Sequence, residues 1–469
     1  MSFLKVKGKD IINAKGEKVF LRGVSFGGWL NMENFITGYI GSESIVRRAI
    51  KEELGEERYI AFFESLLDSF IKESDFKFLS EIGVTAVRVP FNYRHFEDDL
   101  RPGEYDDTVF KYLDKVISWG EKYNIYIILD LHAAQGWQNE GWHSDNPHNI
   151  ALLWKNRDYI ERVKNLWIHI AKRYKDKDYI AGYDLLNEPE APDIDSLNMV
   201  YHEIVDAIRA VDKKHIIFLE GNSKGTEFEG LEEPFDENLA YSSHNYNPAT
   251  HVARKYPGYV NGTYIDKKWL EEAFLERNNW ILDHKRPSWI GEFGALYDGS
   301  ESNLSSFDLA RLNALKDQID IFNKYEQHWT IWTYKDIGVQ GLVVPKGDCE
   351  YIRRMGPINK IKEKLGLDVW TSRDRGLVRS EALNIVRKVA DLTAEHMKDY
   401  SLDYNGRGYF KLGRQAITSS IANTIAPLYA DQFLDMTVDE IKEMHREAFS
   451  FEKCQKRQYL IDVLKELLK

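Results

Sequence analysis

Cysteine is nearly absent: Cys349 and Cys454 are the two in 469 residues. Two thiols cannot make the disulfide framework of a small secreted scaffold, and no four-residue zinc signature accompanies them, so both read as reduced. Long apolar runs are missing as well. No stretch reaches the roughly 18 apolar residues that suggest a membrane span. The segment from Met1 to Asp10 holds no apolar run long enough for a secretory leader. A cytoplasmic location is the expectation, or a secreted one if a leader has been removed. Surplus positive charge is lacking too, since 63 Lys and Arg face 75 Asp and Glu for a formal net charge of −12. An acidic chain is a poor match for a phosphate backbone or an anionic membrane, so neither nucleic acid nor lipid is an expected partner. Gly27-Gly28 is followed by neither Gly-Lys-Ser nor a dinucleotide fingerprint, which excludes a phosphate loop there.

What is present is an alternation. Short β-rich apolar runs occupy Val19 to Val24, Ala86 to Val89, Tyr126 to Leu131, Ile180 to Leu186, Ile216 to Leu219, Leu239 to Ser243, Ser288 to Gly291 and Trp329 to Trp332. Between most of them lie helix-period segments, such as Asp75 to Ile82, Asp107 to Tyr123, Tyr159 to Tyr174, Asp195 to Val211 and Ser306 to Tyr325. Continuous apolar strands joined by helices predict a parallel sheet, and eight such repeats predict a closed barrel. The fold class expected is α/β, a (β/α)8 TIM barrel over residues 1–365 with a C-terminal helical extension over 366–469. In that extension the stretches from Leu383 to Met397, Val438 to Met444 and Tyr459 to Leu468 have helical periodicity. The extension could pack on the barrel or offer a face for a homo-oligomer.

In such a barrel the chemistry gathers where the strands end. Those ends carry Arg88, Asp130-Leu131-His132, Asn187-Glu188-Pro189, Glu220, His244-Asn245-Tyr246, Glu292 and Trp332. Charged groups at so many strand ends would be costly in a purely structural core. Glu188 and Glu292, on the fourth and seventh runs, would face one mouth. Paired carboxylates suit cleavage of a glycosidic bond, one protonating the leaving oxygen while the other attacks the anomeric carbon or activates water. A zinc site using His132, His244 and Glu292 is the rival reading, although no close-spaced ligand pair supports it.

Together these residues resemble glycoside hydrolase family 5, whose members include cellulases, mannanases, β-mannosidases and exo-β-1,3-glucanases. Eight positions of that family's pattern appear in order as Arg88, His132, Asn187, Glu188, His244, Tyr246, Glu292 and Trp332. The resemblance implies Glu188 as general acid/base and Glu292 as nucleophile. It implies that Asn187 bonds the sugar 2-hydroxyl and that Arg88 and Tyr246 hold the nucleophile ionised. His132 and His244 would line the sugar subsite and Trp332 would floor it. The segment from Phe26 to Glu33 further resembles the first-strand loop of exo-β-1,3-glucanases, implying Glu33 as a clamp on the terminal sugar. The segment from His132 to Asn139 resembles their third loop. Trp137, Trp142, His143 and His148 share that loop, which is either an aromatic sugar platform or a packed surface loop. Glu220 is either a third cleft carboxylate or a partner of Lys224, and the stretch from Tyr334 to Gly338 could reach the substrate.

The function expected is a retaining β-glycoside hydrolase of exo type acting on β-linked glucosides or mannosides. An endo-acting cellulase or mannanase and a non-hydrolytic carbohydrate-binding barrel are the alternatives. No cofactor and no metal is expected; the partner is a β-linked oligosaccharide or polysaccharide. A retaining mechanism predicts carboxyl groups about 5–5.5 Å apart.

Overall fold

In the computed structural model the strand ladder closes on itself. The structure describes residues 3–298, 304–367 and 421–468, together with 381, 384, 385 and 388. Eight parallel strands form the barrel: β1 (Arg22–Ser25), β2 (Ala86–Asn92), β3 (Tyr126–Ala133), β4 (Ile180–Asp184), β5 (Ile216–Glu220), β6 (Leu239–His244), β7 (Ser288–Glu292) and β8 (His328–Ile331). Pairing of Trp329 with Arg22 and Ile331 with Val24 joins β8 to β1 and completes the closure. All eight expected strands are present. Nearly every strand residue is buried, as a sheet covered on both faces requires.

The barrel interior is filled by Ala86, Ile128, Ala181, Ile216, Phe218, Ala240 and Trp289. Leu4 and Ile11 join this cluster from an N-terminal hairpin, Lys5–Lys7 with Asp10–Ile12, which stoppers the barrel at the amino ends of the strands. That hairpin is absent from the sequence-based expectation, because its strands of 3 residues are too short to show a period. At the opposite end the apolar filling gives way to charge, with the Arg88 guanidinium 5.6 Å above the Trp289 ring.

The outer helices are amphipathic, with their apolar faces against the strands. They are α1 (Glu43–Leu54), α2 (Glu56–Phe70), α3 (Glu73–Glu81), α4 (Phe110–Tyr123), α5 (Arg157–Tyr174), α6 (Ile194–Arg209), α7 (Lys267–Asp283) and α8 (Ser306–Lys324). Their starts are marked chemically: Asn156, Asp193, Asp266 and Ser305 each accept a first-turn N–H. Four helices rather than one connect β1 to β2, a single turn at Asn34–Thr37 followed by α1, α2 and α3, and Gly55, with φ +79°, separates α1 from α2.

Beyond β8 come α9 (Glu350–Leu365), α10 (Val438–Phe449) and α11 (Gln458–Leu467). The helices expected near Val438 and Tyr459 are those last two; the stretch from Leu383 to Met397 falls largely outside the described residues. α10 lies on α2, with His445 edge-on to Phe62 at 4.5 Å and its Nδ1 2.8 Å from the Ser65 hydroxyl. A short antiparallel ladder pairs Val343–Val344 with Gln455–Lys456. Three further hydrogen bonds clasp the loop after β1, and a fourth reaches the loop after β3. Lys362 Nζ donates to the Asn34 carbonyl (2.8 Å) and the Tyr351 hydroxyl to that of Thr37 (2.6 Å). Asn423 accepts from the Ser42 N–H (3.2 Å) and donates to the Pro147 carbonyl (2.9 Å).

The stretch from Tyr334 to Gly338 is structural, which corrects the expectation that it reaches substrate. Tyr334 and Lys335 bond the buried Asp75 at 2.7 and 3.0 Å, and Lys335 also donates to the carbonyls of Phe70 and Phe449. A buried ammonium needs such a full set of acceptors, and these turn it away from the barrel mouth. Both cysteines are free thiols. Among the described residues no helix is long and apolar enough to cross a membrane.

Candidate active site

Arg88 organises the carboxyl end of the barrel. Its fully buried guanidinium lies 2.6 Å from Glu292, 3.1 Å from Asp130 and from Asp184, and 3.2 Å from Glu220, and it donates to Asn187 Oδ1 at 2.7 Å. One cation among four carboxylates leaves negative charge uncompensated by Arg88 alone. Burial raises the Asp184 carboxyl well above its ordinary range, the Glu220 charge adds to this, and Arg88 opposes it.

The remaining positive charge comes from histidine. Burial opposes the charged form of His132, but Asp130, 2.7 Å from its Nδ1, outweighs burial and lifts the imidazole to about 10. His244 lies 2.9 Å from Glu188 and 3.6 Å from Glu292 through Nδ1, and 3.2 Å from Glu220 through Nε2. Burial would discharge this ring, yet Glu220, Glu292 and Glu188 together raise it well above the usual histidine range.

Glu292 ends β7. One oxygen accepts from Arg88 at 2.6 Å and the other from the Tyr246 hydroxyl at 2.9 Å, so both are hydrogen-bonded. Glu188 sits just beyond β4 in the left-handed region, with φ +48°. That conformation is uncommon for a side-chain-bearing residue. It is secured by the Glu188 N–H donating to Glu220 (2.7 Å) and by its carbonyl accepting from Asn139 Nδ2 (2.9 Å). Its carboxylate lies between His244 and His143, the latter at 3.1 Å. Burial raises this carboxyl, but the two rings, when charged, hold it well below the usual range.

Asn187 accepts from Arg88 through Oδ1, which fixes its amide and leaves the buried Nδ2 with no protein partner. A donor so placed can meet a hydroxyl of a bound sugar. Trp332, 3% exposed, stacks on His132 with centroids 5.3 Å apart and planes 7° apart. Glu33 approaches His132 Nε2 at 3.6 Å; burial raises its carboxyl and His132 opposes this. Nine of the ten expected site residues therefore share one mouth. The Trp137 ring packs edge-on against His148 at 5.8 Å.

Of the two readings of Glu220 the cleft carboxylate holds, since it bonds Arg88, His244 and the Glu188 N–H, and from the loop after β3 His143 meets Glu188. Asp130, Asp184 and Asn139 are additions. The first two carried a signal, since each is a carboxylate inside an otherwise apolar strand. Asn139 carried none.

Glu188, His244 and Glu292 each offer one atom, all within 4.8 Å of one another. A divalent cation could bridge such a triad geometrically. The donor chemistry disfavours it: His244 Nδ1 is engaged with Glu188, and Arg88 already supplies cationic charge to Glu292. The same spacing brings two carboxylates to opposite sides of a space for one scissile bond.

A barrel with these paired carboxylates is the architecture of an O-glycosyl hydrolase. The sequence profile of cellulases, glycosyl hydrolase family 5, matches residues 60–338, and the chain belongs to that family. It is 36% identical over 473 residues to a β-xylosidase of Phanerodontia chrysosporium, an alignment spanning 99% of this chain and 98% of that protein. Identity to endoglucanase C of Acetivibrio thermocellus is 27% over 315 residues, covering 59% of this chain and 88% of that one. A probable glucan 1,3-β-glucosidase A of Aspergillus clavatus is 25% identical over 383 residues, 72% of this chain and 88% of its own. Among solved structures, an endogalactoceramidase superposes with a TM-score of 0.52 at 16% identity, over 72% of this chain and 75% of that one. Thermotoga maritima Cel5A in complex with mannotriose superposes at 0.50 and 23%, over 69% and 92%. These superpositions speak for the fold.

Proposed function

We propose that the chain is a retaining, exo-acting β-glycosidase that removes single sugars from short β-linked glycosides. The observation that carries the mechanism is the spacing of Glu188 and Glu292, with oxygens within 4.8 Å, together with Arg88 and Tyr246 on Glu292 alone. Glu292 attacks the anomeric carbon and displaces the leaving oxygen, which takes its proton from Glu188. The same Glu188 then deprotonates the water that releases the sugar from Glu292.

Exo action is supported by Glu33, a carboxylate beside His132 that can bind hydroxyls of a chain-end sugar. The β-xylosidase relative, alignable through the C-terminal extension as well as the barrel, favours a short glycoside and adds β-xylosides to β-glucosides and β-mannosides as candidates. The endoglucanase relative, alignable over 59% of this chain, is what favours the second reading of internal cleavage in an open groove.

Proton NMR of the first turnovers on aryl β-xyloside, β-glucoside and β-mannoside tests the mechanism. A β-configured first product is expected; an α-configured one means inversion and overturns it. Product sizing on cello-, manno-, xylo- and laminari-oligosaccharides tests exo action. Single sugars are expected, and a spread of internal fragments overturns it.

A further inference from the structure

We infer that Gln138 and Asn139, on the loop after β3, and Glu220, at the end of β5, are positioning residues. They clamp the backbone on both sides of Glu188 and so aim its carboxyl at the leaving oxygen. The inference rests on the reading of Glu188 as acid/base. It begins with a backbone that two rules disfavour. A φ of +48° is uncommon for a residue with a side chain, and Pro189, next in the chain, steers its predecessor toward extended backbone. The β4 ladder ends at Asp184, before Glu188, so strand pairing does not set this turn.

Three fully buried side chains supply the constraint. In the peptide unit before the Glu188 Cα, the Asn187 carbonyl accepts from Gln138 Nε2 at 2.8 Å and the Glu188 N–H donates to Glu220 Oε2 at 2.7 Å. In the unit after it, the Glu188 carbonyl accepts from Asn139 Nδ2 at 2.9 Å. Pro189 brings no N–H to that unit, so every hydrogen-bonding group of both units is held by a side chain. With both peptide planes fixed, the two rotations at Cα are fixed, and with them the direction of the Cα–Cβ bond. The two amides are themselves oriented from outside the turn. Gln138 Oε1 accepts the Ala134 N–H at 3.0 Å, its nitrogen also donates to the His132 carbonyl at 2.7 Å, and Asn139 Oδ1 accepts the Gly141 N–H at 2.7 Å. A flip of either amide would set its oxygen against a carbonyl oxygen.

The clamp closes from the strands on either side of β4. β3 ends in Ala133 and feeds the loop of Gln138 and Asn139, and β5 ends in Glu220. Glu220 also lies 3.2 Å from Arg88 and from His244, so the cluster that holds Glu292 fixes its place. None of the three backbone contacts involves the Glu188 carboxyl. The root of the side chain therefore stays put while the carboxyl gives its proton to the leaving oxygen and later takes one from water. Two proton transfers at one position require that. A misplacement of about 1 Å at a reacting group can cost about 100-fold in rate.

Aryl glycosides graded by leaving group test the clamp. kcat/KM reports the step in which the glycosidic bond breaks; a poor leaving group needs the proton there and a highly activated one does not. In Gln138→Leu and Glu220→Leu, kcat/KM is expected to fall about 10- to 100-fold on poor leaving groups and less than about threefold on highly activated ones. Asn139→Ala, which leaves the Arg88 cluster untouched, is expected to show the same pattern and stands in if Glu220→Leu does not fold. Equal losses across the series in the folded variants overturn the inference, since a role in stability alone lowers every substrate alike. Full activity on poor leaving groups overturns it as well. Glu188→Gln separates the two levels. If it slows all leaving groups alike, the acid/base reading itself falls; if it is selective for poor ones while the clamp variants are not, only the clamp falls.

Discussion

Glu292 and Glu188 face each other across one cleft, yet their surroundings are of opposite kinds. The β7 side offers Glu292 a permanent cation and a hydroxyl, Arg88 and Tyr246, neither of which gives up its charge or proton near neutral pH. The β4 side offers Glu188 two imidazoles, His143 and His244, which can each carry or release a proton. In the proposed mechanism the group that must stay ionised is bonded by donors that do not titrate, and the group that must give and regain a proton is bonded by rings that do. The lesson is that two identical side chains receive their roles from partners contributed by different strands.

That contrast can be broken most severely at the carboxylates. Glu292→Ala is expected to lower kcat by about 10,000-fold or more for every leaving group, because no neighbouring group can form the covalent intermediate. Glu188→Ala is expected to cost about 100- to 10,000-fold with poor leaving groups and far less with activated aryl glycosides. Steady-state rates across an aryl series check both, and equal sensitivity in the two variants would erase the distinction. Arg88→Met comes next. It strands four carboxylates, and the expected loss of stability is about 3–5 kcal/mol in chemical denaturation.

Tyr246→Phe removes one donor to a charged group, worth about 1.5–3 kcal/mol, so kcat should fall roughly 10- to 150-fold without a change in leaving-group dependence. The smallest effect concerns His132. Its folded-state value near 10 lies above the unfolded one near 6.5. The stabilisation from the His132–Asp130 pair is therefore complete below about pH 6.5 and lost as pH rises through about 10. Melting temperatures of wild type and His132→Gln should differ most below pH 6.5 and converge toward pH 10.

The barrel was legible because its strands are buried on both faces and so stand out as unbroken apolar runs. The catalytic set was legible because polar residues interrupt those runs at their ends. What escaped reading lacked either mark. The bottom hairpin is too short for periodicity. Asn139 and His143 sit in a loop whose path is set by turns, so nothing in their spacing places His143 beside Glu188, 45 positions later in numbering. The same loop turns at Gly136 and Trp137, both with positive φ, which brings the indole against His148. Lys335 and Asp336 follow the eighth strand as a substrate-contacting pair would, yet Lys335 is claimed by Asp75 and by carbonyls from α2 and α10.

The clasp on the loop after β1 has a consequence for how the protein is born. Glu33 emerges early in synthesis, but Tyr351, Lys362 and Asn423, which tie down the segment that follows it, emerge some 300 to 400 residues afterwards. At about 5–20 residues per second the last of them trails by about 20–80 s. Late in that interval the strands bearing Arg88, Glu188 and Glu292 have all emerged and can pair while the rim at Glu33 is still unfastened. The nascent chain thus assembles the paired carboxylates before it fastens the edge around Glu33.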